Sequence, residues 1–179
     1  SIFQSITPRT AGFNTLDIGK LRDGTLFVMI ILMFIGASPS STGGGIKTTT
    51  FGALIASVIS TAKGRDDVET HERRLPHDEI LKAMTIATLA MGLVTGVTLI
   101  LSVTEHARFL EVLFETTSAF GTVGLTMGIT PSLSDIGRIL IMATMFMGRV
   151  GPLTVVIALA QRRRQPATVH LAEERILIG

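Results

Sequence analysis

The sequence contains no cysteine, no tryptophan and no tyrosine. Without cysteine, disulfides and thiolate metal sites are excluded. Without Trp and Tyr, the aromatic belt that usually marks a membrane interface is missing from this stretch. Charge is also scarce: 17% of the 179 residues are Asp, Glu, Lys or Arg, against about 25% in an ordinary soluble domain. These charges are clustered, which leaves long stretches with none. The formal net charge of +2 is too small to argue for a nucleic-acid partner. The chain opens at Ser1, inside what reads as an unfinished motif, and a piece of a longer protein is expected.

What is present is apolar: 46% of residues are hydrophobic and the mean hydropathy is +0.52. Ile80 to Val103 is an uninterrupted span with Lys82 as its one charge, long enough for a bilayer core that needs about 20 residues. Gly92 and Gly96 lie four apart within it, a spacing that lets helices approach closely. Ile136 to Ala160 is another long span, with Arg138 near its start, Arg149 in its middle and Arg162, Arg163 and Arg164 behind it. Leu26 to Ala37 is too short to cross; a Gly-, Ser- and Pro-rich break follows, and helical character resumes from Thr49 to Ala62. Together these read as one crossing with a broken middle. Glu111 to Phe120 is amphipathic and too short to cross, so a re-entrant half-helix is expected. The positive-inside rule places the triple Arg and the Lys63–Glu79 linker in the cytoplasm, with stretches 104–110 and 127–135 outside.

Two segments match at a constant offset of 112 residues. Thr10 pairs with Thr122, Gly12 with Gly124, Met33 with Met145, Phe34 with Phe146 and Gly36 with Gly148. The same unit therefore occurs twice: a short loop, then a descending span. An even number of crossings separates the copies, so they share one orientation, and parallel repeats surround an axis normal to the membrane. The expected fold is an all-α membrane protein with repeated helix–pore-loop–helix units around a central pore.

The loops read Thr10-Ala11-Gly12-Phe13 and Thr122-Val123-Gly124-Leu125. The second resembles the Thr-Val-Gly core of potassium-channel filters. A potassium ion must exchange its water shell for oxygen ligands, and stacked main-chain carbonyls supply them. Glycine permits the backbone angles that aim successive carbonyls at one line. Apolar Ala11 or Val123 is expected to point away and brace the loop. The C-terminal end of the preceding half-helix favours a cation. Potassium is thus expected at Thr10, Ala11, Gly12, Phe13, Thr122, Val123, Gly124 and Leu125.

Pro39 and the run Gly43-Gly44-Gly45 do not suit a continuous helix. One reading is a kinked helix; the other is an intramembrane loop below the filter that obstructs the pore. A phosphate-binding loop fails, because Lys47 follows Ile46 rather than glycine. Arg149 falls in mid-membrane, where a charge costs at least roughly 2.5–3.5 kcal/mol. Its place after Gly148, the mate of Gly36, puts it at the depth of the Gly-rich stretch, where it is expected to face the pore and bond loop carbonyls. Glu111 and Glu115 open the half-helix, either matching its dipole or drawing cations to the mouth. His71, His77, His106 and His170 are expected in loops, without metal-ligand spacing.

The stretches Thr10–Asn14, Gly36–Thr50, Thr122–Thr126, Gly148–Thr154 and Glu173–Gly179 together resemble the carboxy-terminal half of a Ktr/Trk/HKT-superfamily potassium uptake subunit, nearest to the Ktr membrane subunit. The resemblance implies four pore units in one polypeptide. Residues 1–62 would be a truncated third unit, 63–79 a cytoplasmic linker, 80–161 the fourth unit and 162–179 a cytoplasmic tail. It also implies a multi-pass cell-membrane protein surrounded by lipid, a homodimer with one pore per subunit, and a cytoplasmic ring of nucleotide-binding regulatory subunits. Gly12 and Gly124 match glycines associated with potassium selectivity. The Gly-rich stretch becomes a gate, with Gly43, Gly44, Gly45, Lys47 and Arg149 as its residues. The expected function is potassium uptake through a carbonyl-lined filter, without cofactor or catalysis. The alternative is a secondary transporter that couples potassium to sodium or protons. Against it stand the charges expected inside the spans, Lys47 and Arg149, which are basic. A membrane ATPase would need a nucleotide loop or a phosphorylated Asp in a soluble domain, and neither is seen.

Overall fold

The computed structural model describes residues 2–39, 41–64, 68–70, 73–151 and 154. Among these residues six α-helices are bounded: α1 (Ile2–Ile6), α2 (Asp23–Phe34), α3 (Thr48–Ala62), α4 (His77–Thr104), α5 (Phe109–Phe120) and α6 (Asp135–Val150). The fold is helical as expected, apart from a small antiparallel ladder of β1 (Glu69–Thr70) and β2 (Arg73–Arg74) in the linker. His77 is the first residue of α4 rather than a loop residue. The expected Ile136–Ala160 span is helical from Asp135 to Val150; most of its remainder, the triple Arg, His71 and His170 lie outside the described residues.

The helix starts follow local chemistry. Ser134 caps α6 by accepting the Gly137 N–H at 3.1 Å. Asp78 and Glu79 occupy the first turn of α4, and Glu111 in the first turn of α5 accepts the Arg108 N–H at 3.0 Å. Carboxylates there complement the helix dipole. The 112-residue offset recurs in the elements. Short 3-10 turns stand at Ile18–Lys20 and Thr130–Ser132, and α2 and α6 begin at Asp23 and Asp135.

Helix α5 sits at the centre, packed against α2, α4 and α6. Every residue from Glu115 to Phe120 is buried. One apolar cluster joins α2 to the second loop through Leu26, Met29, Met33, Phe114, Val123 and Leu125. Another joins α4, α5 and α6 through Leu101, Val112 and Ile141. A third brings Ile46 and Phe120 onto Ala90 and Val94 of α4. Large apolar side chains are also exposed, among them Leu99 and Val103 of α4 and Ile136, Ile139 and Phe146 of α6. Exposed apolar faces of helices suit a membrane or partner surface. Among the described elements, α4 is long and apolar enough to cross a membrane. The close helix approach expected at Gly92 and Gly96 is not found among the described residues. A Cβ at either position would meet no atom within 4 Å.

The break between α2 and α3 is a pinched-off loop and not a kink. Its two ends are tied together: the Gly36 N–H donates to Ile46 O at 2.8 Å, and the Ile46 N–H to Phe34 O at 3.2 Å. The chain leaves α2, travels through the glycines and returns to the same point before α3 starts. Gly36 makes this possible, because a Cβ there would lie 2.0 Å from Gly44 O.

Candidate functional site

Two β-branched residues carry the least expected backbone in the molecule. Among the described residues, Thr10 (φ 66) and Thr122 (φ 53) are the non-glycine positions with positive φ. For a β-branched side chain this region is an outlier and costs roughly 1–3 kcal/mol. Gly12 (φ 71) and Gly124 (φ 85) follow two residues later in the same region, and Ala11 and Val123 between them do not. Each loop thus alternates in handedness, and it does so at matched positions.

The second loop grows directly out of α5. The Thr122 N–H donates to Ala119 O at 3.1 Å and the Val123 N–H to Ser118 O at 2.9 Å. This is the Schellman ending of a helix, whose left-handed position normally goes to Gly or Asn. Thr122 occupies it instead, so its side chain has a use. The hydroxyl accepts the Gly44 N–H at 2.9 Å. Val123 is buried, as expected of a bracing residue, and so is Leu125; Ala11, expected to brace the first loop in the same way, is exposed, as is Phe13. Leu125 has α2 to pack on, while no described element covers the equivalent side of the first loop.

The two loops meet. A Cβ on Gly12 would fall 2.2 Å from Val123 O, so only glycine lets the two main chains approach this closely. The tip of the Gly-rich loop lies against both threonines. A Cβ on Gly43 would fall 2.8 Å from Thr10 Oγ1, and one on Gly44 would fall 2.8 Å from Thr122 Oγ1 and 3.1 Å from Gly148 O. Gly148 is itself seated on the end of α5, where a Cβ would lie 2.0 Å from Phe120 O. Thr10, Gly12, Thr122, Val123, Gly43 and Gly44, taken from three distant parts of the sequence, thus form one cluster.

Below the loop tip is a cavity of about 180 Å³, lined by Gly43, Gly45, Lys47, Gly148 and Arg149 among others. Lys47, rather than Arg149, holds the loop. Its Nζ donates to Gly43 O at 2.6 Å and to Ser41 O at 3.2 Å. Lys47 stands on the returning arm of the loop, four residues after Gly43, so its flexible stem folds back onto the carbonyls. Arg149 reaches the cavity from α6, is exposed, and makes no hydrogen bond to the loop among the described residues.

Other residues shape the site without an obvious sequence signal. Thr7 is buried and its hydroxyl donates to Phe13 O, fixing the far side of the first loop. Glu115 lies beyond the first turn of α5; it is buried, and it accepts hydrogen bonds from Thr126 and Thr130. A carboxylate therefore lies inside the helical core, where only basic charge was expected. Glu105 clamps the end of α4 to the start of α6 by accepting from the Ser134 N–H and hydroxyl. These bonds from Ser134 hold its carboxyl below the usual carboxylate range. Among the described residues, no group of His, Asp or Glu could hold a metal ion as side-chain ligands.

The TrkH family model, described as a cation transport protein, matches residues 1–171. Ktr system potassium uptake protein D of Bacillus subtilis is 46% identical over the whole chain, which spans 40% of that relative. Ktr system potassium uptake protein B of the same organism is 47% identical over 90% of the chain and 36% of the relative. The potassium/sodium uptake protein NtpJ of Enterococcus hirae is 39% identical over the whole chain and 41% of its own length. The chain thus spans about two fifths of the curated relatives it matches. In three dimensions it resembles the potassium transporter TrkH from Vibrio parahaemolyticus, with a TM-score of 0.75 at 20% identity, over 88% of this chain and 36% of that one. With 171 of its residues matched by one family model, the chain belongs to the TrkH family of cation transport proteins.

Proposed function

We propose that the parent protein carries potassium across the cell membrane through a filter to which this chain contributes two of four walls. The observation that carries the reading is the paired backbone. Thr10 and Thr122 hold strained left-handed conformations at matched positions, glycines follow two residues on, and the loops abut at Gly12 and Val123. Glycine at Gly12 and Gly124 permits the backbone angles that aim successive carbonyls at one line. Here the groups facing the shared line would be carbonyls of Thr10–Phe13 and Thr122–Leu125, replacing the ion's water. Strain of this kind persists where the surroundings over-determine it, which is typical of ligand sites. The names of the curated relatives agree on potassium, one of them adding sodium.

Residues 1–62 and 80–161 are the third and fourth units of this pore, joined by the cytoplasmic 63–79 linker and followed by a cytoplasmic tail. The Gly-rich loop is the gate. Its tip rests on Thr10 and Thr122, so an ion leaving the filter meets Gly43 and Gly44 first. Below them, Lys47 and Arg149 line the cavity and present positive charge to a cation on its way. The protein is a multi-pass homodimer in lipid, and a cytoplasmic ring of nucleotide-binding subunits pulls the loop aside.

A transporter that couples potassium to sodium or protons is the second reading. The buried carboxylate of Glu115 beside the second loop favours it. Rubidium uptake by liposomes holding the full-length protein separates the two. The filter reading predicts uptake driven by the rubidium gradient alone and inhibited more strongly by potassium than by sodium. Uptake that requires a sodium or proton gradient would overturn it.

A further inference from the structure

Glu115 is the charged side chain that is buried among the described residues, and the ion pathway makes no direct use of it. Burying a carboxylate is costly unless it is hydrogen-bonded. Here Oε2 accepts from Thr126 Oγ1 at 2.6 Å and Oε1 from Thr130 Oγ1 at 2.5 Å. Thr126 Oγ1 in turn accepts the Gly128 N–H at 2.9 Å. One rigid, planar group therefore spans the arm of chain that leaves Gly124. A cavity of about 110 Å³ connects it with the loop and is lined by Glu115, Ser118, Gly124, Thr126, Thr130 and Met145 among others. Among the described residues the first loop is held by the Thr7 hydroxyl and has no buried carboxylate behind it. The residues 112 positions earlier are Phe3, Asn14 and Ile18, and Asn14 Oδ1 accepts the Leu16 N–H instead. Among the described residues, the brace and its charge stand behind the second loop and not the first.

We propose that Glu115 is the positioning residue of the Thr122–Leu125 loop and the determinant of ion preference for that wall. It fixes the outer arm through Thr126 and Thr130, which sets where the Val123 and Gly124 carbonyls stand. It also places a fixed negative charge behind them, in a poorly screened interior where such a charge acts strongly on a dehydrated monovalent cation. This assignment rests on the filter reading above.

The test uses the full-length protein in liposomes, with rubidium uptake and sodium as competitor. For Glu115→Gln, the half-saturating rubidium concentration rises and the preference for rubidium over sodium falls, each about tenfold, as expected for weakening hydrogen bonds to a charged group. Thr126→Val with Thr130→Val keeps the charge but removes both donors, and gives the same fall in preference. Thr126→Ser with Thr130→Ser restores both donors and the wild-type preference. An unchanged preference in Glu115→Gln overturns the assignment. If that variant does not fold, an unchanged preference in the double valine variant overturns it equally. Wild-type protein without rubidium uptake would instead remove the filter reading, so the two failures are distinct.

Discussion

Replacing Gly12 by alanine adds one methyl group where two main chains touch. The new Cβ would lie 2.2 Å from Val123 O, whereas ordinary contact begins at 3.4 Å, so something must move by the difference, 1.2 Å. Alanine at φ +71 adds roughly 1–2 kcal/mol for the left-handed backbone. Overpacking against a fixed neighbour adds about 1–3 kcal/mol. The sum, about 2–5 kcal/mol, is a large share of the roughly 5–15 kcal/mol that holds a domain together. The least costly relaxation swings the Val123 carbonyl away, and that oxygen is one of the proposed ligands. Gly12→Ala in the full-length protein should therefore lower rubidium uptake at least about tenfold, the equivalent of 1.4 kcal/mol, and weaken discrimination against sodium. Its thermal midpoint should fall as well. Gly52→Ala in α3 is the control, since a Cβ there meets nothing within 4 Å. It should leave transport intact and add about 0.5–1 kcal/mol of stability through helix propensity. Wild-type uptake, discrimination and midpoint in Gly12→Ala would refute the reasoning.

Thr122→Val keeps the shape of the side chain but removes the hydroxyl that accepts the Gly44 N–H. Losing a hydrogen bond and leaving a donor unpaired costs about 1–3 kcal/mol, so the closed loop should open more often and basal flux should rise, measured without any regulatory subunit. Lys47→Met removes both bonds to the loop carbonyls and should raise the same leak more than Arg149→Ala, which removes charge alone; equal leaks would contradict the division of labour. The Glu105 clamp carries a pH signature. The bonds from Ser134 hold its carboxyl below the usual carboxylate range in the folded state, so its contribution is present above that range and lost as pH falls through the depressed folded value. Glu105→Gln should lower the thermal midpoint at neutral pH and converge with wild type in acid; a difference independent of pH would contradict the clamp.

Much of this was legible in the sequence because it is periodic. The 112-residue offset pairs Thr10 with Thr122 and Gly36 with Gly148, and the long apolar run around Gly92 marks α4. The break at Gly43–Gly45 announced a departure from helix, but composition cannot tell a kink from a loop whose ends reunite. That distinction rests on bonds between Gly36 and Ile46, ten residues apart. The exchange of roles between Lys47 and Arg149 was hidden for a similar reason. Depth along a span can be counted from sequence, whereas the direction of a long cationic side chain is set by which carbonyls lie within its reach. The burial of Glu115 is not legible, because a carboxylate near a helix start normally serves the dipole; its partners, Thr126 and Thr130, sit on the stretch after the second loop and leave no periodic trace. Gly92 and Gly96 show the converse, since a familiar spacing pointed to a close contact that the described residues do not make.

The account stands on the two loops sharing one ion. The most direct test is the structure of the full-length protein with rubidium or caesium, located by anomalous scattering. Density lying on one line between the main-chain oxygens of Thr10–Phe13 and those of Thr122–Leu125, above the tip of the Gly43–Gly45 loop, is the predicted result. Loops that stay side by side while their carbonyls turn away from that line, with the ion bound elsewhere, would contradict it.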